Sequence, residues 1–371
     1  MSSKRKLRVG LIFGGRSGEH EVSLTSAKSV MEAIDKDKYE VVLIGITKEG
    51  HWLTGSNVHR QLLEAAAGHP LLVSHLEQPA PSETRSLSLS VADTGPLDVV
   101  FPVLHGPFGE DGTVQGFFEL VGVPYVGAGV LGSAVGMDKA VAKDIFQTHG
   151  LPQVKHRVFL RKEWQADPET VLTACESSLP YPMFVKPANL GSSVGVHKAK
   201  NRAQLRASLD DAARYDRKLL VEQGVDAREI EVSVLGNDDP MASVPGEILP
   251  SREFYSYAAK YLDEASELLI PAPLTPEQTA LAQDLAVRAF KALDCAGMAR
   301  CDFLLDKASG QLYINEINTI PGFTPISMYP KLWAASGLSY GELINRLIEL
   351  ALERHADKEQ SQTAFNVANA E

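Results

Sequence analysis

Apolar residues in this chain gather in short blocks, punctuated by glycine and proline. LRVGLIFGG, YEVVLIGIT and LDVVFPVLHG are near-continuous apolar runs of strand length, the pattern of strands covered on both faces. Between the first two, apolar positions through Val30 and Ile34 have helical spacing, with Ser23 expected as the cap. Strand, helix, strand at this length predicts a βαβ unit of an open parallel sheet, with its ligand edge at the C-terminal strand ends. TVQGFFELVG predicts a helix, VPYVGAG a short strand, and SAVGMDKAVAKDIFQTHG one amphipathic helix. Further along, VKHRVFL opens a new region. YPMFVKPANLGSSVGVHKA reads as strand, Gly/Ser loop, strand, and KLLVEQGV and REIEVSVLG as two more strands. TPEQTALAQDLAVRAFKALDCAG predicts a helix capped near Thr275, and Tyr340 to about Ala356 a surface helix. The runs CDFLL and LYIN flank the turn-rich DKASG and predict a β-hairpin. Two stretches lack a clean period. Gly55 to Gly95 is Ser-, Pro- and Ala-rich, and SREFYSYAAKYLDEASE reads as a loop that orders over a site.

Composition narrows the class. At 371 residues two or three domains are expected. The net charge of -11 argues against a nucleic-acid partner, which selects for basic patches. Cys175, Cys295 and Cys301 form no CxxC pair and no even framework, which fits a reduced cytosol. No window reaches the apolar length of a membrane span, and the N-terminus reads as a first strand with no signal-peptide cleavage site.

The hairpin carries the strongest chemistry. Glu316 and Asn318 are two apart and share a strand face, where Asp302 from the paired strand can join them. Three oxygen donors suit Mg²⁺ or Mn²⁺ and not zinc, and Arg300 beside them can face an anion. Other signals are weaker singly. Glu19, in GGRSGEHE, can bind an ammonium or stabilise a helix N-terminus. His105 can hydrogen-bond a carboxylate, and Lys139 lies early in a helix. Lys186 ends an apolar strand beside Gly191-Ser192-Ser193-Val194-Gly195, whose backbone N–H groups can wrap a phosphate. Glu222, at a strand end, can accept from an adenine amino group.

Taken in order, GGRSGEHEVS, LHGPFGEDG, MDK, FVKPANLGSSVGV, VEQGVDAREIEV, KYLDE, ARCDF and NEINTIPGFT resemble the D-alanine:D-alanine ligases of the ATP-grasp superfamily, from about residue 8 to 354. The resemblance implies an α/β and α+β chain: an N-terminal open parallel-sheet (pre-ATP-grasp) domain over 1–140, then a two-lobed ATP-grasp fold with a central lobe over 141–230 and a metal-bearing C-terminal lobe over 231–371. It implies ATP and two Mg²⁺ or Mn²⁺ as cofactors, D-alanine as substrate, a D-alanyl phosphate intermediate, and a cytoplasmic homodimer that serves peptidoglycan precursor synthesis. By the same resemblance Lys139 and Lys186 contact phosphate, and Ser192, Ser193, Val194 and Gly195 cover it. Glu222, Val225 and Glu229 hold adenine and ribose, and Asp302, Glu316 and Asn318 hold the metals. Arg300 meets the transferred phosphoryl group, and Glu19 and His105 contact the first D-alanine. Lys260, Tyr261, Gly322, Ser327 and Met328 surround the second substrate, with the segments 189–195 and 251–267 as lids. Two other readings stay open. One is a D-alanine:D-lactate or D-alanine:D-serine ligase, distinguished by the loop around Tyr261. The other is a catalytically dead nucleotide-binding regulator, which would have lost a metal ligand or phosphate lysine.

Overall fold

The computed structural model describes residues 5–55, 58, 95–249 and 267–362. Three sheets organise them. In the first, β1 (Leu7–Gly14) pairs in parallel with β2 (Tyr39–Ile46) on one side and β4 (Val99–Pro102) on the other. β3 (Trp52–Thr54) adds an antiparallel edge. Alternation sorts β1 into two faces. Val9, Leu11 and Phe13 pack with Leu24, Ala27 and Val30 of α1 (His20–Ala33), while Ile12 joins Val114 and Phe118 of α2 (Thr113–Val121) on the opposite face. Ser23 is not the cap of α1. Glu19 holds that position, and Ser23 is buried inside the helix, accepting from Gly14 N and donating to the Val103 carbonyl. A serine hydroxyl within a helix is free to bond a neighbouring strand when it lies on the packed face. VPYVGAG makes only a single bridge, Val100 to Tyr125.

The expected single helix over 133–150 is two, α3 (Val130–Met137) and α4 (Lys139–Thr148). Asp138 between them is extended, with ψ of 94°, and its carboxylate caps α4 by accepting from Val141 N at 3.2 Å. The same carboxylate accepts from Asn189 Nδ2 and is paired with Lys218. These bonds hold Asp138 out of helical geometry and start α4 at Lys139.

The second sheet is antiparallel, in the order β5 (His156–Leu160), β8 (Lys218–Gln223), β6 (Met183–Pro187), β7 (His197–Ala199). Its odd positions, such as Val185, Leu219 and Val221, face α6 (Pro168–Ser178) and α7 (Arg202–Tyr215) across a dry core. A short α5 (Arg161–Ala166) adds Trp164 to that core. Phe184, Lys186 and Glu222 therefore point the other way.

The third sheet has the order β12 (Glu267–Leu269), β11 (Gly246–Leu249), β9 (Ala227–Gly236), β13 (Gly297–Asp306), β14 (Leu312–Asn318), with β10 (Met241–Ala242) beside β9. One face packs Ile230, Val232, Val234, Ala299, Cys301 and Phe303 against α8 (Pro276–Ala292), which Thr275 caps through a reciprocal bond with Gln278. Ala142 and Phe146 of α4 join this core. After β14 come α9 (Met328–Ala335) and α10 (Tyr340–Lys358). The last is no surface helix. Leu343, Ile344, Leu347 and Ile348, a helical stripe, are fully buried in the core of the first sheet. Arg354 of α10 donates to the Tyr125 and Gly127 carbonyls and stacks over the Tyr125 ring. All three cysteines are buried and free.

Candidate active site

The hairpin predicted at 298–318 is β13 and β14, and its alternation has a defect that creates the site. Arg300 pairs with Asn318 and Asp302 with Glu316, but Phe303 pairs with Ile314. Asn315 is the extra residue of a β-bulge. A regular strand would send 312, 314, 316 and 318 to one face. The bulge leaves Leu312 and Ile314 in the core and turns Glu316 and Asn318 to the opposite side, with Ile317 taking the core place.

On that side the charges interlock. Arg300 donates from Nε and Nη2 to the two Asp302 carboxylate oxygens, both at 2.7 Å, and pairs with Glu231 at 3.0 Å. Such bidentate pairs are the strong, oriented ones. Asn318 Nδ2 donates to Asp302 Oδ2 at 3.0 Å, which turns its own carbonyl oxygen away as an acceptor. Glu316 lies 3.3 Å from Lys139 Nζ, which also donates to the Leu190 carbonyl at 2.9 Å. Asp302, Glu316 and Asn318 thus offer only oxygen ligands along the wall of a cavity of about 510 Å³. That donor set fits a hard divalent cation.

The same cavity runs between the second and third sheets. Lys139, Lys186, Ser192, Ser193, Glu222, Val225 and Glu229 line it. Lys186 Nζ sits 2.6 Å from Glu222 Oε2 and donates to Asn315 Oδ1 at 3.0 Å. Burial opposes the Lys186 charge, but Glu222 and Glu316 outweigh it and its pKa is raised. Burial likewise opposes ionisation of Glu222, yet Lys143 and Lys186 hold its carboxyl at about 2.

The glycine loop is bent by unusual backbone. Ser192 and Ser193 have φ of 51° and 57°, and Gly195 has φ of 70°. A Cβ on Gly195 would meet Pro187 and Tyr215 at 2.9 Å. Val194 N donates to the Gly191 carbonyl at 3.2 Å, closing the turn. Ser192 Oγ donates to Glu19 Oε1, tying the loop to the first sheet. Gly191 and Gly106 flank that carboxylate so closely that a Cβ on either would stand 2.9 Å from Glu19 Oε2.

A smaller cavity of about 110 Å³ adjoins the first, sharing Glu110, Gly191, Ser192 and Asn318 as walls. Glu19, His105, Arg300, Gly322, Ser327 and Met328 are among the residues that also line it. His105 has both ring nitrogens engaged, Nδ1 with the Ile320 carbonyl at 3.0 Å and Nε2 with Ser26 Oγ at 3.2 Å. A carbonyl only accepts, so Nδ1 carries the proton. Burial lowers the imidazole pKa, so Nε2 accepts from the serine. The ring is a bracket between the end of β4 and the loop after β14. Ser327 Oγ accepts from Thr324 N at 3.0 Å, and Gly322 lies so close that its Cβ would stand 2.7 Å from that oxygen. Lys260 and Tyr261 lie outside the described residues.

Sequence reasoning assigned no role to three participants. Glu110 stands where the two cavities meet and accepts from Gly106 N at 3.1 Å. Burial, then the Glu19 charge, pushes its carboxyl up to about 8. Its signal is the charge pair in GEDG, which begins four residues after His105. Asn315 is marked by the apolar spacing of 312, 314 and 317, which breaks period two. Lys143 shows as a charged residue on the apolar face of α4, beside Phe146.

Comparison with known proteins decides the family. The profile described as "D-ala D-ala ligase N-terminus" matches residues 8–128, and "D-ala D-ala ligase C-terminus" matches residues 145–349. The chain belongs to the D-alanine–D-alanine ligase family. It is 54% identical over 358 residues to the D-alanine–D-alanine ligase of Heliobacterium modesticaldum, covering 96% of this chain and 98% of that one. To the ligase of Natranaerobius thermophilus it is 50% identical over 363 residues, covering 98% and 99%. Among solved structures, the Coxiella burnetii D-alanine-D-alanine ligase superposes with a TM-score of 0.79 at 34% identity, over 96% of this chain and 97% of that one. A D-Ala:D-Ser ligase from Enterococcus faecalis superposes with a TM-score of 0.78, also at 34% identity, over 94% of this chain and 100% of that one. The ligase thus has the ATP-grasp fold expected from its motifs, and it is an ADP-forming enzyme that makes D-alanyl-D-alanine for peptidoglycan synthesis. Its family uses ATP and a divalent metal. Among the described residues no helix is long and apolar enough to cross a membrane.

Proposed function

We propose that the larger cavity takes ATP and the smaller one D-alanine, and that the ligase works through a D-alanyl phosphate formed where they meet. The observation that carries this reading is the shared wall, which includes Glu110, Gly191, Ser192 and Asn318, between a cavity bearing Lys139 and Lys186 and one bearing Glu19 and Arg300. A carboxylate is a poor electrophile and must be activated. Phosphoryl transfer to the first D-alanine asks the protein mainly for positioning and charge neutralisation. Lys139 and Lys186 hold phosphate oxygens, and the loop of Ser192, Ser193, Val194 and Gly195 covers them. Asp302, Glu316 and Asn318 would hold two Mg²⁺ or Mn²⁺, which supply further neutralisation of the phosphates when bound. Arg300, aimed by Asp302 and Glu231, stabilises charge on the transferred group. Glu222, Val225 and Glu229 hold adenine and ribose.

Glu19 binds the ammonium of the first D-alanine, with Ser192 fixing its carboxylate. His105 holds the loop that carries Gly322, and Gly322, Ser327 and Met328 border the second D-alanine together with Lys260 and Tyr261. The amine of that second D-alanine attacks the acyl phosphate carbon, and the tetrahedral intermediate expels phosphate. Water must be kept out because acyl phosphates hydrolyse readily; the segments 189–195 and 251–267 serve as the covers. The chain divides as 1–140, 141–230 and 231–371, with α4 and α10 packing across those boundaries. It acts in the cytoplasm as a homodimer. The test is ADP release by the purified protein with Mg²⁺ and a panel of D-amino and D-hydroxy acids as second substrate. D-Alanine should support the fastest turnover; faster turnover with D-serine or D-lactate would replace the proposed second substrate.

A further inference from the structure

Glu222 is held by two lysines that reach it from different sides. Its Oε2 lies 2.6 Å from Lys186 Nζ, which belongs to the cavity wall. Its Oε1 lies 2.6 Å from Lys143 Nζ, on α4. The Lys143 side chain is 1% exposed and forms no part of that wall. Opposite Glu222 on β5 stands His156, whose imidazole pKa is lowered by burial and then by the Lys143 charge, so it offers no third cation. An ammonium placed in the interior loses hydration, and a buried charge persists only where a partner compensates it. Burial lowers the Lys143 pKa and the Glu222 charge opposes that; among the described residues Glu222 is the acid paired with it.

We propose that Lys143 is a positioning residue that keeps Glu222 an ionised, acceptor-only group and thereby selects a 6-amino purine over a 6-oxo purine. The inference rests on the assignment of Glu222 to adenine. An ionised carboxylate accepts hydrogen bonds and donates none. It pairs with the amino group of ATP and repels the carbonyl of ITP, which presents an acceptor at the same place. Lys143 also leaves the cluster of two lysines and one glutamate with a surplus positive charge, so Lys186 is not consumed by Glu222. Without Lys143, Lys186 alone must neutralise Glu222, and the carboxyl takes up a proton more readily. The protonated form has an O–H to give to a 6-oxo group.

The experiment compares kcat/KM for ATP and ITP, with D-alanine saturating, in wild type, Lys143→Met, Glu222→Gln and the double variant. Wild type should prefer ATP. Lys143→Met should narrow the ATP:ITP ratio at least about tenfold, the scale of one mismatched buried polar group, with the KM for D-alanine changed less than about twofold. In the Glu222→Gln background the same lysine change should move the ratio less than about twofold, because the two residues act through one contact. An unchanged ratio in Lys143→Met beside a narrowed one in Glu222→Gln would overturn the role of Lys143 alone. An unchanged ratio in Glu222→Gln would overturn the adenine assignment and the inference with it. Equal, independent losses in both backgrounds would reduce Lys143 to packing. If Lys143→Met fails to fold, Lys143→Gln supplies the single variant, and the double variant still folds because it leaves no carboxylate uncompensated.

Discussion

Glu110 and Glu222 are both buried carboxyls lining the same cavity, and their surroundings drive them apart. Two ammonium groups 2.6 Å away hold Glu222 at about 2. Burial, and after it the Glu19 charge, pushes Glu110 to about 8. The sign for Glu110 follows from linkage. Its folded pKa lies above its unfolded value, so its stability contribution is complete below about pH 4.5. That contribution is lost as pH rises through about 8. Glutamine does not titrate. Glu110→Gln should therefore gain stability relative to wild type between pH 5 and pH 9, measured by urea unfolding; a constant offset across that range would mean that Glu110 is ionised throughout. Glu316→Gln keeps shape and removes one charge from the proposed metal ligands. It should lower kcat by about 10² to 10³ with an unchanged far-UV spectrum, since Glu316 lies at the cavity wall and outside the apolar core. Near-normal turnover at saturating Mg²⁺ would remove Glu316 from the metal site.

At the scale of elements, long apolar runs and caps were legible and local exceptions to period were not. β1, β2, β9, β13 and β14, and the capping of α8 by Thr275, follow directly from pattern. The break at Asp138 was not visible, because it depends on Lys218 and Asn189, remote in sequence. α10 was misread because its stripe is amphipathic, and a stripe alone does not say which sheet it will cover. Its burial predicts that Leu347→Ala costs about 2 to 5 kcal/mol by chemical denaturation, although a true surface helix would lose well under 1 kcal/mol. The bulge has a sharper consequence. Removing the extra residue leaves Ile317 in the core and Glu316 and Asn318 on the site face, so deleting Asn315 and Asn315→Ala both chiefly lose the acceptor for Lys186. Both variants should keep measurable turnover, with the KM for ATP raised to a similar extent. Loss of activity in the deletion alone would show that the bulge positions Glu316 in a way that its strand face does not capture.

At the scale of the whole molecule, no one sheet owns the site. The first sheet contributes Glu19 and His105, the second Lys186 and Glu222, and the third Arg300, Asp302, Glu316 and Asn318. Most of these positions were legible because their motifs sit at strand ends, yet Lys143 and Glu110 needed the packed structure to reveal what faces them. A ligand that touches the second and third sheets together must stabilise the folded chain as a unit. Binding adds RT ln(1 + [L]/Kd), about 2.7 kcal/mol at a hundredfold excess over Kd, or roughly 3 to 4 °C in Tm for a chain of 371 residues. In the proposed site, nucleotide phosphates would approach a wall that already carries Asp302 and Glu316. A divalent cation between the two sets of negative charge should therefore be needed for much of that gain. ADP with Mg²⁺ should raise Tm by several degrees, and ADP with excess EDTA by a small fraction of that, while EDTA alone leaves Tm unchanged. Glu316→Gln should shrink the metal-dependent part and keep the EDTA value. An ADP shift of the same size with and without chelator would mean that Lys139 and Lys186 alone balance the phosphates, and it would overturn the metal assignment of Asp302, Glu316 and Asn318.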